Sequence, residues 1–150
     1  MKKLQWWFRI VGAFYLLLTL MNVYFLFLAD GSQMLADTLP TPMNTEPLAV
    51  RAFMDAWLVF VFELGVLGAM ALVASRAPLQ NKIMAWVIIW AEVFRGILAD
   101  GIWIIRGYDA GSYIPFIVIH LIIIVTGVWA VRRAEAEGET AVTPTLAAGD

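Results

Sequence analysis

Six ionisable side chains stand inside stretches that are otherwise apolar: Asp55, Glu63, Glu92, Arg95, Asp100 and His120. Asn22 joins them as an uncharged polar group. Carboxylates, a guanidinium and an imidazole are the groups that relay protons, hold polar ligands or bind metals. In hydrocarbon each charge costs roughly 2.5–3.5 kcal/mol at mid-depth, so Glu63, Glu92 and Arg95 left unpaired would together cost on the order of 8–10 kcal/mol. Such groups must turn inward and find partners.

The stretches that carry them are helical by length. About 20 mostly apolar residues cross a bilayer, at ~1.5 Å per residue. Four runs qualify: about 6–28, 52–74, 83–105 and 113–131. Between them stand breakers: Pro40, Pro42 and Pro47 in the first connection, Pro78 in the second, Gly107 and Gly111 in the third. Continuous apolar runs exclude the alternation of a β-barrel. The first run is read as a permanent helix, because Phe27 is too bulky for a signal-peptidase site before Asp30.

Composition points the same way. Of 150 residues, 62% are hydrophobic and only 15% charged, and there is no cysteine. Mean hydropathy is +0.81. A soluble domain carries about 25% charged residues, so this chain cannot cover itself with a polar surface. Disorder and a disulfide scaffold are excluded as well. A net charge of −2 gives no reason to expect nucleic acid as a partner.

The expected fold is therefore an all-α membrane protein, a four-helix transmembrane bundle over residues 1–133 followed by a disordered cytoplasmic tail, 134–150. Lys2, Lys3, Arg9, Arg76, Lys82, Arg132 and Arg133 gather on one side; Arg51 and Arg106 lie on the other. The positive-inside rule then puts both termini in the cytoplasm. For a bacterial chain the site is the inner membrane, with the lipid bilayer as the first partner. Trp6, Trp7, Trp86 and Trp129 fall at the inner interface, Trp57 and Trp103 at the outer. Leu28-Ala29-Asp30-Gly31 recurs as Leu98-Ala99-Asp100-Gly101, which raises a parallel repeat of two helix pairs as an expectation.

Depth brings some of the polar groups together. Glu63 lies roughly 18 Å from Arg51, and Glu92 about 15 Å from the inner end of its helix, so both fall near the midplane. Arg95 lies one turn further out; Asp55, Asp100, His120 and Asn22 lie in the outer third. At 100° per residue, Asp55 and Glu63 are ~80° apart in projection, and so are Glu92 and Asp100. Each pair forms one polar stripe, and the stripes are expected to face each other.

Three readings stay open. In the first, Arg95 pairs with Glu63 or Glu92, Arg51 pairs with Asp55, and the network only fixes helix register in a structural or accessory subunit. In the second, the excess of acids over bases makes a proton or ligand site in an acidic, aromatic-lined cavity that binds or passes a small apolar compound. Tyr15, Tyr24, Phe62, Trp90 and Phe94 are candidates to line it. In the third, carboxylates and His120 hold a metal in a membrane enzyme, although Glu92-x-x-Arg95 puts a cation where a ligand is wanted. Neither a cofactor nor catalytic residues are expected. A protein partner or a second copy is compatible with the first two readings. Gly65, Gly68 and Ala69 would let helices approach closely.

Trp6-Trp7-Phe8-Arg9 with Gly12, Asn22-Val23-Tyr24, Asp37-Thr38-Leu39-Pro40 and Arg51-Ala52-Phe53-Met54-Asp55-Ala56-Trp57 carry a resemblance. The chain resembles the BphX-like family of small bacterial membrane proteins over about its first 130 residues. The resemblance implies an association with the breakdown of biphenyl and related aromatics, and it supplies no catalytic residues. A broader likeness to DoxX-like four-helix membrane proteins bears on architecture alone.

Overall fold

The computed structural model describes residues 2–29 and 31–142, the side chains of 139–142 excepted. Asp30 and the end of the expected tail, 143–150, lie outside the described residues. Helix α1 runs Lys2–Phe27, α2 is a short helix Ser32–Ala36, and α3 runs Pro47–Ala74. Then α4 (Lys82–Ala91), a π-helical section (Glu92–Leu98) and α5 (Ala99–Ile105) form one unbroken rod. The last helix, α6, runs Ala110–Val142. No strand occurs among the described residues.

The helix ends follow local chemistry. Pro47 stands in the first turn of α3, where its missing N–H costs nothing. Asp109 caps α6: its Oδ2 accepts from the Ser112 backbone N–H at 2.8 Å and from the Ser112 hydroxyl at 2.7 Å. These two signals start α3 and α6 earlier than the apolar runs suggested. Gly107, at φ +88°, takes the left-handed turn that ends α5. At its far end α6 carries on to Val142, so the expected tail is helical over 134–142.

Three helices are long and apolar enough to cross a membrane: Lys2–Phe27, Pro47–Ala74 and Ala110–Gly138. The third expected run is helical throughout but is divided by its π section. Helix α1 packs on α3 and α6, and the rod packs on α6 and α3. The backbones of α1 and α3 nearly touch. A Cβ on Gly12 would lie 2.8 Å from the Gly68 carbonyl, and one on Gly68 would lie 3.0 Å from that of Gly12. The core joins Leu4, Phe8 and Val11 to Leu64, Ile88 and Val131. Outside, Ile10, Leu20, Val59, Val66 and Val125 stay exposed, so the helices are apolar on all sides, as a membrane requires.

Contacts sort the chain's ends. The Lys3 ammonium lies 4.4 Å over the Trp129 ring, and Lys82 pairs with Glu135 at 3.0 Å. The start of α1, the start of α4 and the late part of α6 therefore share one end. At the other end the Asp109 N–H donates to the Thr38 carbonyl at 3.4 Å, joining the first and third connections.

The four-residue echo does not correspond to a shared local structure. Leu28 and Ala29 leave the helix, and Gly31 lies so close to Phe25 that a Cβ would come 2.7 Å from its carbonyl oxygen. Residues 98–101 stay helical, and Gly101 has open space beside it.

Candidate functional site

Glu92, 1% exposed, is the most buried charge among the described residues. It opens the π section and gathers three elements. The Tyr15 hydroxyl, from α1, donates to Oε1. His120 Nδ1, from α6, lies 2.6 Å from Oε2. Where Glu92 is ionised its carboxylate only accepts, and Nδ1 then carries the hydrogen. Arg95 Nη2, from the same section, lies 3.7 Å from Oε1. Both carboxylate oxygens are thus engaged deep in the protein, the arrangement that makes a buried charge tolerable.

The second nitrogen of His120 turns to another acid. Nε2 lies 3.5 Å from Asp100 Oδ2, too long for a good hydrogen bond, and Oδ2, although buried, has no hydrogen-bond partner among the described residues. Regular α-helical geometry would set Glu92 and Asp100 ~80° apart. The π section closes i→i+5 turns, and each extra residue per turn swings the downstream side chains back around the axis. Both acids consequently reach one imidazole. Gly96 makes room for it, because a Cβ there would lie 2.5 Å from His120 Cγ.

Arg95 is the least satisfied member. Its guanidinium lies 4.8 Å over the Phe60 ring and 5.9 Å over Tyr15. It makes no hydrogen bond among the described residues, and Nη1 is buried without a partner.

Beside this cluster lies a cavity of about 280 Å³ between α1, α3, the rod and α6. Arg95, Asp100 and His120 form its floor, and α2 roofs it with Met34 and Leu35. Its walls are aromatic: Phe53, Trp57, Phe60, Trp103, Tyr113 and Phe116. The rings hold one another. Phe53 stacks on Trp57 with centroids 6.0 Å apart, and Trp103 meets Tyr113 at 5.3 Å. The Trp57 indole N–H donates to Asn22 Oδ1 at 2.9 Å, and Asn22 Nδ2 donates to the Leu18 carbonyl at 2.8 Å, which fixes that wall.

The six expected site residues therefore divide. Glu92, Arg95, Asp100 and His120 come together. Glu63 and Asp55 do not: both are exposed on α3, and neither has an ion-pair partner among the described residues. Arg51 does not pair with Asp55, and Arg95 approaches Glu92, not Glu63. The expected lining also changes. Tyr24, Phe62, Trp90 and Phe94 are exposed on the outer surface, and Tyr15 belongs to the Glu92 network. Trp57 and Trp103, expected at the outer interface, line the cavity. Among the described residues no three His, Asp or Glu side chains are arranged to hold a metal ion.

A family model described as BphX-like matches residues 1–136. No curated protein and no solved structure matches the chain.

Proposed function

Since the chain belongs to the BphX-like family, we propose from the geometry above that it is a four-span membrane protein that binds a small, largely apolar aromatic compound in the cavity beneath α2. The rod formed by α4, the π section and α5 is the fourth span of the bundle. Both termini face the cytoplasm, the bacterial inner membrane is the site, and the cavity lies in the outer half. The single observation that carries the reading is an aromatic-walled space of about 280 Å³ with three ionisable side chains on its floor. Ligand pockets are mostly apolar with a few converging polar groups, and run upwards from about 300 Å³. A space of this size suits one or two fused rings.

Equilibrium binding of naphthalene to the protein in nanodiscs, against empty nanodiscs, tests it. Saturable binding is expected, and Leu18→Trp, which fills the cavity from α1, should remove it. Uptake no greater than into empty nanodiscs, or unchanged in Leu18→Trp, would sink the proposal.

A second reading has its own support. Tyr15, Glu92 and His120 bond α1, the rod and α6 together, which is what an accessory subunit would need to hold helix register. It predicts that naphthalene shows no saturable binding while Glu92 variants lose stability.

A further inference from the structure

Resting on the aromatic-cavity reading, we infer that the ligand carries a hydroxyl group, which accepts from Arg95 and donates to Asp100. The floor offers three polar side chains, and their engagement differs. His120 has one nitrogen bonded to Glu92 and the other turned to Asp100. Glu92 is sealed beneath by Tyr15 and His120. Arg95 and Asp100 remain, each lining the cavity and each with a buried polar atom that lacks a hydrogen-bond partner among the described residues. Arg95 Nη1 is a donor without an acceptor, and Asp100 Oδ2 is an acceptor that faces His120 Nε2 at 3.5 Å, too far for a good hydrogen bond. An unsatisfied buried polar group costs free energy, and a single ligand group that both donates and accepts relieves the two at once.

Charge decides among the groups a ligand could bring. A bare hydrocarbon fills the aromatic walls and leaves both floor groups as they are. A carboxylate suits Arg95 but faces Asp100 and, behind His120, Glu92. A hydroxyl on an aromatic ring is neutral and both donates and accepts. It completes the floor while its ring lies among Trp57, Trp103 and Tyr113. Hydrogen bonds to charged groups are worth about 1.5–3 kcal/mol, or roughly 10- to 150-fold in affinity.

Three probes of one ring system separate the cases on the full chain in nanodiscs: naphthalene, 2-naphthol and 2-naphthoate. The expected result is 2-naphthol binding at least tenfold more tightly than naphthalene, with 2-naphthoate weakest. In Arg95→Met and Asp100→Leu the preference for 2-naphthol should shrink towards one, with naphthalene affinity retained. Equal affinity of naphthalene and 2-naphthol for the unaltered protein overturns the inference and leaves the aromatic-cavity reading standing. Tightest binding of 2-naphthoate overturns it in favour of an anion site. Binding of none of the three overturns the cavity reading and this inference with it. The probe comparison on the unaltered protein does not depend on either variant folding.

Discussion

Replacing Glu92 by Gln isolates the network at its most buried point. The change keeps the shape and removes the charge. The carboxylate engages Tyr15 through Oε1 and His120 through Oε2, the latter at 2.6 Å, with Arg95 at 3.7 Å. An amide keeps one acceptor oxygen and sets an NH2 donor against the other partner. One charge-assisted hydrogen bond, worth about 1.5–3 kcal/mol, therefore becomes a meeting of two donors. Arg95 also loses the only carboxylate within ion-pair distance among the described residues. Breaking a buried ion pair by removing one partner costs about 3–5 kcal/mol, and that is the loss expected here. Against a total stability of roughly 5–15 kcal/mol it is large. Unfolding in mixed detergent micelles, titrated with a denaturing surfactant, measures it. Tyr15→Phe alone should cost less, and the double variant should lose less than the sum, with a coupling of about 1 kcal/mol or more. Glu63→Gln is the control, since Glu63 is exposed and has no ion-pair partner among the described residues. If Glu92→Gln came within about 0.5 kcal/mol of the unaltered protein, or matched Glu63→Gln, the network would not be holding the helices.

Three further outcomes rest on packing and capping. Gly96→Ala places a methyl 2.5 Å from His120 Cγ, so it should destabilise by about 1–3 kcal/mol through overpacking, read by the same titration. Gly101→Ala meets nothing within 4 Å and lies in a helix, so it should be neutral or stabilise by up to about 1 kcal/mol. The Ser112 hydroxyl and N–H hold the Asp109 carboxyl below its ordinary value of 3.8. A depressed folded-state value means that the cap's contribution is complete above about pH 4 and is lost as pH falls through the lower folded value. Unfolding midpoints between pH 6 and pH 3 should therefore fall more steeply for the unaltered protein than for Asp109→Asn; parallel profiles would refute the assignment.

The helical stretches were legible because length and breakers each constrain an apolar chain independently. The apolar runs located the helical stretches, and Asp109, Pro47 and Gly107 mark ends that can be read from residue type alone. The site was legible in part. That charges in apolar runs must find partners led to Glu92, Arg95, Asp100 and His120. What the residues did not declare was the π section. Angular bookkeeping at 100° per residue assumes a regular helix, and the extra residue per turn over Glu92–Leu98 moves Asp100 to the His120 side. No residue type in that section announces the change.

The misplacement of Glu63 has a different cause, and a signal that would have corrected it was present. In a soluble helix the apolar stripe marks the buried face. Here α3 is apolar all round, so hydrophobicity cannot tell inside from outside. Small residues can, because close helix contacts admit little else. The buried positions of α3 include Val61, Leu64, Gly68 and Ala71, at spacings of three, four and three, and Gly68 is the point where α1 crosses. Glu63 precedes Leu64, one step of ~100° around the helix, on the arc with exposed Val59, Phe62 and Val66. The same logic marks two close approaches: Gly96 lies in the section with Glu92 and against His120, and Gly127 receives the Trp7 ring, 2.6 Å from where a Cβ would stand. In this chain Gly12, Gly68, Gly96 and Gly127 mark where helices meet closely, and Gly96 stands where His120 approaches Glu92.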